Sequence, residues 1–366
     1  MRELSIPLSY TPIPTEQVLS VLKAYSNRNH NDLVTDFEKK ISEVTGAKYA
    51  IALNSGTAAI HLGLKALNVQ EHDIVLVSTF TYVASVNPIR YLGAIPFFID
   101  SCSDDWNMDP VLLEEAIEQC IRSGKKPKAI LVVHTYGMPA KMTEIKRIAN
   151  HYHIPVLEDA AEAMGSLYEG QTVGTLAEIG IFSFNNNKLF TTYGGGALIT
   201  NNQEVAAKVN SWAGQSRDNL PFYEHREIGF NYKMSPLNAA AGLAQIEYLT
   251  YKVSERRKIF LRYQSQLGGK LGWQTEAPGA LSNRWITAVS LPNDIQVSET
   301  QTKLAANGIE TRPVWKPMHR QPIFKDFKVV ANGTSERLFD SGICLPSGNN
   351  LQTSELDEIC RIINEF

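Results

Sequence analysis

YAIALNSGTAAIHLGLKAL, residues 49–67, runs from a continuous apolar segment through small polar residues straight into an amphipathic stretch. A short strand leading at once into an N-capped helix is the unit from which α/β folds are built. Further apolar runs fall at Ile74–Val77, Pro96–Ile99, Ala129–His134, Val156–Glu158, Gly180–Phe184 and Ala197–Thr200. Together with Tyr49–Leu53 they make seven strands, most of them too continuously apolar for a sheet with one wet face. Helices are therefore expected on both faces. Helical patterns at Ala58–Leu67, Pro110–Ile121, Lys141–His151 and Glu204–Trp212 supply that cover.

The texture changes near residue 235. SPLNAAAGLAQIEYLTYKVSERRKIFLRYQSQL offers Ser235 as N-cap, Pro236 at the first helical position and one long helical pattern, read as a bridge between domains. Beyond it WITAVSL and IETRPVW read as strands, and SETQTKLAANG and SELDEICRIINEF as helices. The expected organisation is a large α/β domain over 1–240 and a small C-terminal α+β domain over 241–366. At 366 residues, two domains fit the usual domain size.

With 35 Lys and Arg against 38 Asp and Glu, the formal charge of −3 gives no global attraction to nucleic acid or an anionic membrane. A phosphate-bearing partner would need a local site. Four cysteines without CxxC spacing fit a reducing cytoplasm better than a disulfide framework. The N-terminal MRELSIPLSYTPIP lacks a signal-peptide segment, and no uninterrupted apolar run is long enough to span a bilayer. Familiar signatures also fail. Gly194-Gly195-Gly196 is followed by Ile199 where a dinucleotide fingerprint needs glycine, Gly124-Lys125 and Gly269-Lys270 make no P-loop, and the histidines form no HExxH. No metal is expected.

Three elements remain. Ser55, Gly56 and Thr57 precede a helix whose first backbone amides can bind a phosphate, although an ordinary N-capped helix explains the run as well. Glu158, Asp159 and Glu162 follow a strand, at the sheet edge where α/β sites gather; an acid there can pair with a cationic ring nitrogen or simply cap a helix. Lys188 lies in a small-polar loop between an apolar strand and a glycine turn. Most lysines are solvated surface charges, but one held beside an aldehyde can form an imine and carry a proton. The order of phosphate loop, acid, then Ser183-x4-Lys188 before a glycine turn gives the combination its weight.

These residues resemble the pyridoxal-phosphate sugar aminotransferases of the DegT/DnrJ/StrS family, within fold type I. SGTAAIHL (55–62), STFTYVASVNPI (78–89), FFIDSCSDDWNM (97–108), EDAAEAMGSLYEG (158–170), GIFSFNNNKLFTTYGGG (180–196), GFNYKMS (229–235), RPVWKPMH (312–319) and ICLPSG (343–348) carry the resemblance across nearly the whole chain. It implies a large domain with a mostly parallel seven-stranded sheet. It also implies pyridoxal 5'-phosphate held by Lys188 as an internal aldimine, with a pyridoxamine form during turnover. The WNM, RPVWKPMH and ICLPSG segments are most similar to the branch that aminates UDP-4-keto-6-deoxy-N-acetylhexosamines in polysaccharide or glycan precursor synthesis, with glutamate as donor. A dTDP- or GDP-linked 3-keto or 4-keto hexose is the alternative.

Residue by residue, the resemblance implies that Lys188 and Asp159 are catalytic, Asp159 facing the pyridine nitrogen. Glu162 lies near the ring hydroxyl, Gly56 and Thr57 bind phosphate with Ser55 beside them, Ser183 donates to that phosphate, and Tyr82 stacks on the ring. Asn231 reaches the cofactor phosphate of a neighbouring subunit, which makes a homodimer with a shared site. His319, Lys316 and Arg312 are the candidate substrate contacts, His319 being equally readable as a buried loop histidine. Asn186 stands where glycine is usual in this branch, so this residue, tolerant of left-handed backbone, is expected to take that angle. Tyr193 replaces a small residue, and Lys233 a more frequent arginine. Sugar 3-dehydratases of the family carry histidine at the lysine position, so Lys188 argues against that chemistry. Retention of Lys188, Asp159 and Ser183 together argues against a non-catalytic binding or regulatory protein.

Overall fold

The computed structural model describes residues 5–366. All seven expected strands form: β1 Tyr49–Leu53, β2 Ile74–Ser78, β3 Ile95–Ile99, β4 Ala129–Val133, β5 Val156–Asp159, β6 Ile179–Ser183 and β7 Gly196–Thr200. They lie in the order β1-β7-β6-β5-β4-β2-β3, with β7 antiparallel to both neighbours and every other pair parallel. An eighth strand, Val329–Val330, adds itself parallel to β3 at the edge. Two residues are too few to give a periodic signal, so the sequence pattern could not show it.

All five residues of β4 and of β7 are buried, as a sheet covered on both faces requires. One apolar layer gathers Leu76, Ile130, Val132 and Phe182 under one set of helices, and the other gathers Val75, Val77, Leu131 and Leu157 under the opposite set. Helix Gly56–Ala66 lies so close to the sheet that a Cβ on Gly63 would come within 2.6 Å of Leu157 Cδ1. This close packing brings the start of the helix against the end of β6.

Ser235 caps the next helix through Leu237 N–H, with Pro236 first, as the sequence indicates. The long helical pattern is not continuous. Helix Pro236–Leu243 ends, Gln245 takes φ −135°, and helix Leu249–Leu267 begins after a short 3₁₀ turn. The Gln245 side chain has a tertiary role, donating to Thr191 O at 2.7 Å and Ala241 O at 3.0 Å. Local periodicity did not reveal that demand.

C-terminal to the bridge, strands Gly272–Trp273, Thr287–Ser290, Gly342–Leu345 and Arg312–Pro313 make an antiparallel sheet. Helices Leu249–Leu267, Val297–Ala306 and Thr353–Asn364 share its core through Tyr263, Leu304, Ile359 and Ile363. Two features tie this region to the rest of the chain besides Val329–Val330. Ile6 bridges to Ile309. Asp100, at the end of β3, accepts from the N–H groups of Asn332, Gly333 and Ser335 at 2.9–3.1 Å, holding the start of helix Thr334–Ser341.

Candidate active site

The carboxyl ends of β2, β4, β5 and β6 point to one edge, and β1 runs in the same direction as β6. The loops leaving these ends enclose a cavity of about 460 Å³. Its wall includes Ser55, Gly56, Thr57, Tyr82, Asp159, Glu162, Ser183 and Lys188, eight residues singled out in the sequence and scattered over more than 130 positions. Ligands of open α/β sheets gather at such an edge.

Ser55 Oγ accepts from Ala58 N–H at 3.0 Å, which caps the helix. The amides of Gly56 and Thr57 remain at the cavity wall, where first-turn N–H groups have no partner within a helix. A Cβ on Gly56 would lie 2.9 Å from Ser183 Cβ, so glycine lets the helix start and the end of β6 meet, with the Ser183 hydroxyl beside the amides. Small-polar donors and helix amides are the chemistry that holds a phosphate.

Asp159 Oδ2 accepts from Ser85 Oγ at 2.6 Å and Oδ1 from Ala161 N–H at 3.1 Å. Burial raises its carboxyl above the ordinary range, against the pull of the Ser85 and Ala161 donors and of Lys188 and His134. A cation placed beside it would restore its ionisation. Glu162 accepts from Lys188 Nζ at 3.1 Å through Oε1 and from Tyr136 N–H at 2.8 Å through Oε2. Burial pushes this carboxyl up to about 7, although the Lys188 ammonium and the Tyr136 amide oppose it. Lys188 Nζ also sits 4.1 Å from the centre of the Trp285 ring, a cation on an aromatic face.

The loop geometry corrects one expectation. Asn186 is not in the left-handed region; the residue that takes it is Tyr193, at φ 61°, ahead of Gly194 and Gly195 at φ 153° and 119°. The sharp reversal is made at the end of the loop, so the residues just before Lys188 need no special backbone. Gly194 and Gly195 line the cavity and Tyr193 is exposed.

The other candidates lie elsewhere. Asn231 is exposed, and its carbonyl accepts from Asn54 Nδ2 at 3.2 Å, outside this cavity wall. His319 is mostly enclosed, with Nδ1 2.7 Å from Thr79 Oγ1 and Nε2 2.9 Å from Glu336 Oε1. Lys316 is exposed, and Arg312 pairs with Glu310 at 2.9 Å. Arg312 lines a second cavity of about 410 Å³, which shares Asn187, Trp285 and Trp315 with the first.

Trp285, Trp315, Ser85 and Tyr136 escaped the sequence reading. Tyr136, buried at φ 56°, is stacked between the two tryptophans at centroid distances of 6.4 and 4.4 Å. Trp315 and Ser85 lie inside quoted motifs, but nothing in their spacing marks the side chain as a cavity wall. Cys102, Asp104 and Asp105 also come within 4.8 Å of one another, and Lys141 Nζ, 2.9 Å from Asp104 Oδ2, supplies positive charge to that cluster.

A lysine, a buried acid and helix amides thus meet at one sheet edge. The DegT/DnrJ/EryC1/StrS aminotransferase family model matches residues 14–364, and the chain belongs to that family. It is similar to EpsN of Bacillus subtilis (strain 168), which carries the provisional name of a pyridoxal phosphate-dependent aminotransferase, at 44% identity over 90% of this chain and 87% of the relative. It is also similar to the GDP-perosamine synthase of Escherichia coli O157:H7, at 35% identity over 98% and 99%. A crystal structure of a family aminotransferase from Brucella abortus superposes with TM-score 0.90 at 28% identity, covering 96% and 95% of the two chains. The protein is a pyridoxal phosphate-dependent sugar aminotransferase. No helix among the described residues is long and apolar enough to cross a membrane.

Proposed function

We propose that this enzyme moves the amino group of L-glutamate to the keto group of a nucleotide-linked 6-deoxy sugar, with UDP-4-keto-6-deoxy-N-acetylhexosamine as the acceptor. The reading is carried by one observation: Lys188, Glu162, Asp159 and the Gly56–Thr57 amides face one cavity. Bound pyridoxal phosphate supplies an aldehyde and an electron-withdrawing ring for amino-group transfer. The amides of Gly56 and Thr57, with Ser183, hold the phosphate. Asp159 ionises beside the ring nitrogen and keeps that nitrogen protonated. Lys188 provides the nucleophilic amine and then carries the proton, while Glu162 and the Trp285 face hold its ammonium between steps. Tyr82, more than half exposed at the rim, offers its ring as a stacking surface.

The choice of a UDP-linked acceptor rests on the WNM, RPVWKPMH and ICLPSG segments. Similarity to a GDP-perosamine synthase favours a GDP-linked sugar as the second reading. Two copies of the chain complete the site, Asn231 reaching the partner's phosphate. Its exposed position, with Ile228 and Leu237 also exposed nearby in sequence, fits a face that a second copy covers. Four buried free cysteines fit a cytoplasmic enzyme in glycan precursor synthesis.

The visible spectrum of the loaded enzyme tests this. Glutamate should bleach the lysine-bound cofactor band, and one member of a panel of UDP-, GDP- and dTDP-linked 3-keto and 4-keto sugars should restore it. Recovery only with the UDP-linked 4-keto sugar supports the proposal. Recovery with a GDP sugar instead selects the second reading, and a band indifferent to glutamate overturns the donor.

A further inference from the structure

Helix Leu249–Leu267 turns Arg256 inward, and the side chain is fully buried. A guanidinium has five N–H donors in a planar fork and no acceptor. Nε donates to Asn349 Oδ1 at 2.9 Å, and Nη1 donates to the Trp285 carbonyl at 3.0 Å. Nη2 donates to the hydroxyl oxygens of Ser9 and Thr11, each at 3.2 Å.

Three of these four partners continue to the lysine loop. Ser9 Oγ donates to Asn187 O at 2.9 Å, and Thr11 Oγ1 donates to Lys188 O at 3.0 Å. Trp285 Nε1 donates to Asn187 O at 2.8 Å, while its ring carries Lys188 Nζ at 4.1 Å. The direction of each relay follows from chemistry. A hydroxyl has one proton, and because Arg256 can only donate, Ser9 and Thr11 accept from it and spend their own proton on the loop carbonyls. One residue thus sets the polarity of both hydroxyls and the seat of the indole.

We propose that Arg256 is the positioning residue of Lys188. It acts through Ser9, Thr11 and Trp285 to fix the Asn187–Lys188 backbone and the aromatic face against the amine. The N-terminal segment around Ser9 and Thr11 is by this account part of the active site, although it lies some 180 residues from the loop in sequence. The geometry stands by itself; its catalytic meaning rests on Lys188 being the cofactor-bearing amine. The same helix holds the far end of the loop through Lys252, whose Nζ donates to Gln245 Oε1 at 2.5 Å, and Gln245 in turn donates to Thr191 O.

The test compares wild type with S9A/T11V, which keeps Arg256, and with R256K and R256M. Two quantities are measured: hydrogen exchange of the 185–192 segment, with and without pyridoxal phosphate, and the pH midpoint of the lysine-bound cofactor band. In S9A/T11V the segment should exchange about tenfold faster while β4 and β5 stay as protected as in wild type. The band midpoint should move in the same variant. R256M should show the larger change in both readouts, and R256K, retaining a donor and the charge, should fall between. Exchange of 185–192 or a band midpoint equal to wild type in S9A/T11V overturns the proposal, as does R256K indistinguishable from R256M in both. Wild type that takes up no pyridoxal phosphate on Lys188 would instead overturn the reading of the site, and exchange without the cofactor would still decide whether Arg256 holds the loop.

Discussion

Glu158 and Asp159 are consecutive buried carboxylates on β5, and successive side chains of a strand point to opposite faces. Glu158 faces away from the cavity and meets four donors: the N–H groups of Leu176 and Ala177 at 2.7 Å, Gly174 N–H at 2.9 Å and His134 Nε2 at 3.1 Å. His134 Nδ1 accepts from Ala140 N–H, which leaves Nε2 as the donor to Glu158. Asp159 meets two donors and borders the cavity. The same chemical group, one residue apart, is a structural anchor where four donors saturate it and is left with free acceptor capacity at the cavity where only two do.

Lys188→Ala should give the largest effect on the cavity side, a loss of about 10³-fold or more in transamination with the fold intact. Rates with glutamate and a keto sugar, beside a melting curve, check it. Asp159→Asn should lower turnover by about 10²-fold with little change in stability, since burial already disfavours its charge. Glu158→Gln should do the reverse. An amide oxygen cannot serve four donors, so urea unfolding should show a loss of about 3 kcal/mol with turnover of the folded enzyme nearly preserved. If Glu158→Gln abolished turnover at unchanged stability, the contrast between the two residues would be broken.

Glu162 sharpens the comparison through pH. Its carboxyl rises from an ordinary 4.5 to about 7 in the cofactor-free fold, so between these values the folded chain binds more protons than the unfolded one. Stability from this group is therefore full below about pH 4.5 and is lost as pH rises through 7. Glu162→Gln should remove up to about 3 kcal/mol of that decline, read as a flatter urea midpoint between pH 5 and 7. The smallest effect belongs to Tyr193→Gly. It relieves a left-handed backbone while loosening the unfolded chain, and the stability read from thermal melting should change by no more than about 1 kcal/mol.

The contrast also shows how far the sequence could be read. Strand–helix alternation revealed the large sheet, because buried parallel strands are continuous apolar runs. Lys188, Asp159 and the Ser55–Thr57 loop were legible because each follows a strand end, where the fold brings such residues together. Ser85, Tyr136 and Trp285 were not, since their places depend on side chains packed across β2, β4 and the C-terminal region. The break at Gln245 was hidden for the same reason: a helical pattern shows propensity, not the bond that Gln245 makes to Thr191. The bonds of His319 to Thr79 and Glu336 join residues that no sequence spacing brings together, so they too were hidden.

The central claim is that Lys188 is the amine that takes the cofactor. The direct measurement is borohydride reduction of the enzyme loaded with pyridoxal phosphate, followed by peptide mass mapping. The account predicts one pyridoxyl label, on Lys188 in the 185–192 segment, absent after Lys188→Ala. A label on another lysine, or no label at all, would contradict it.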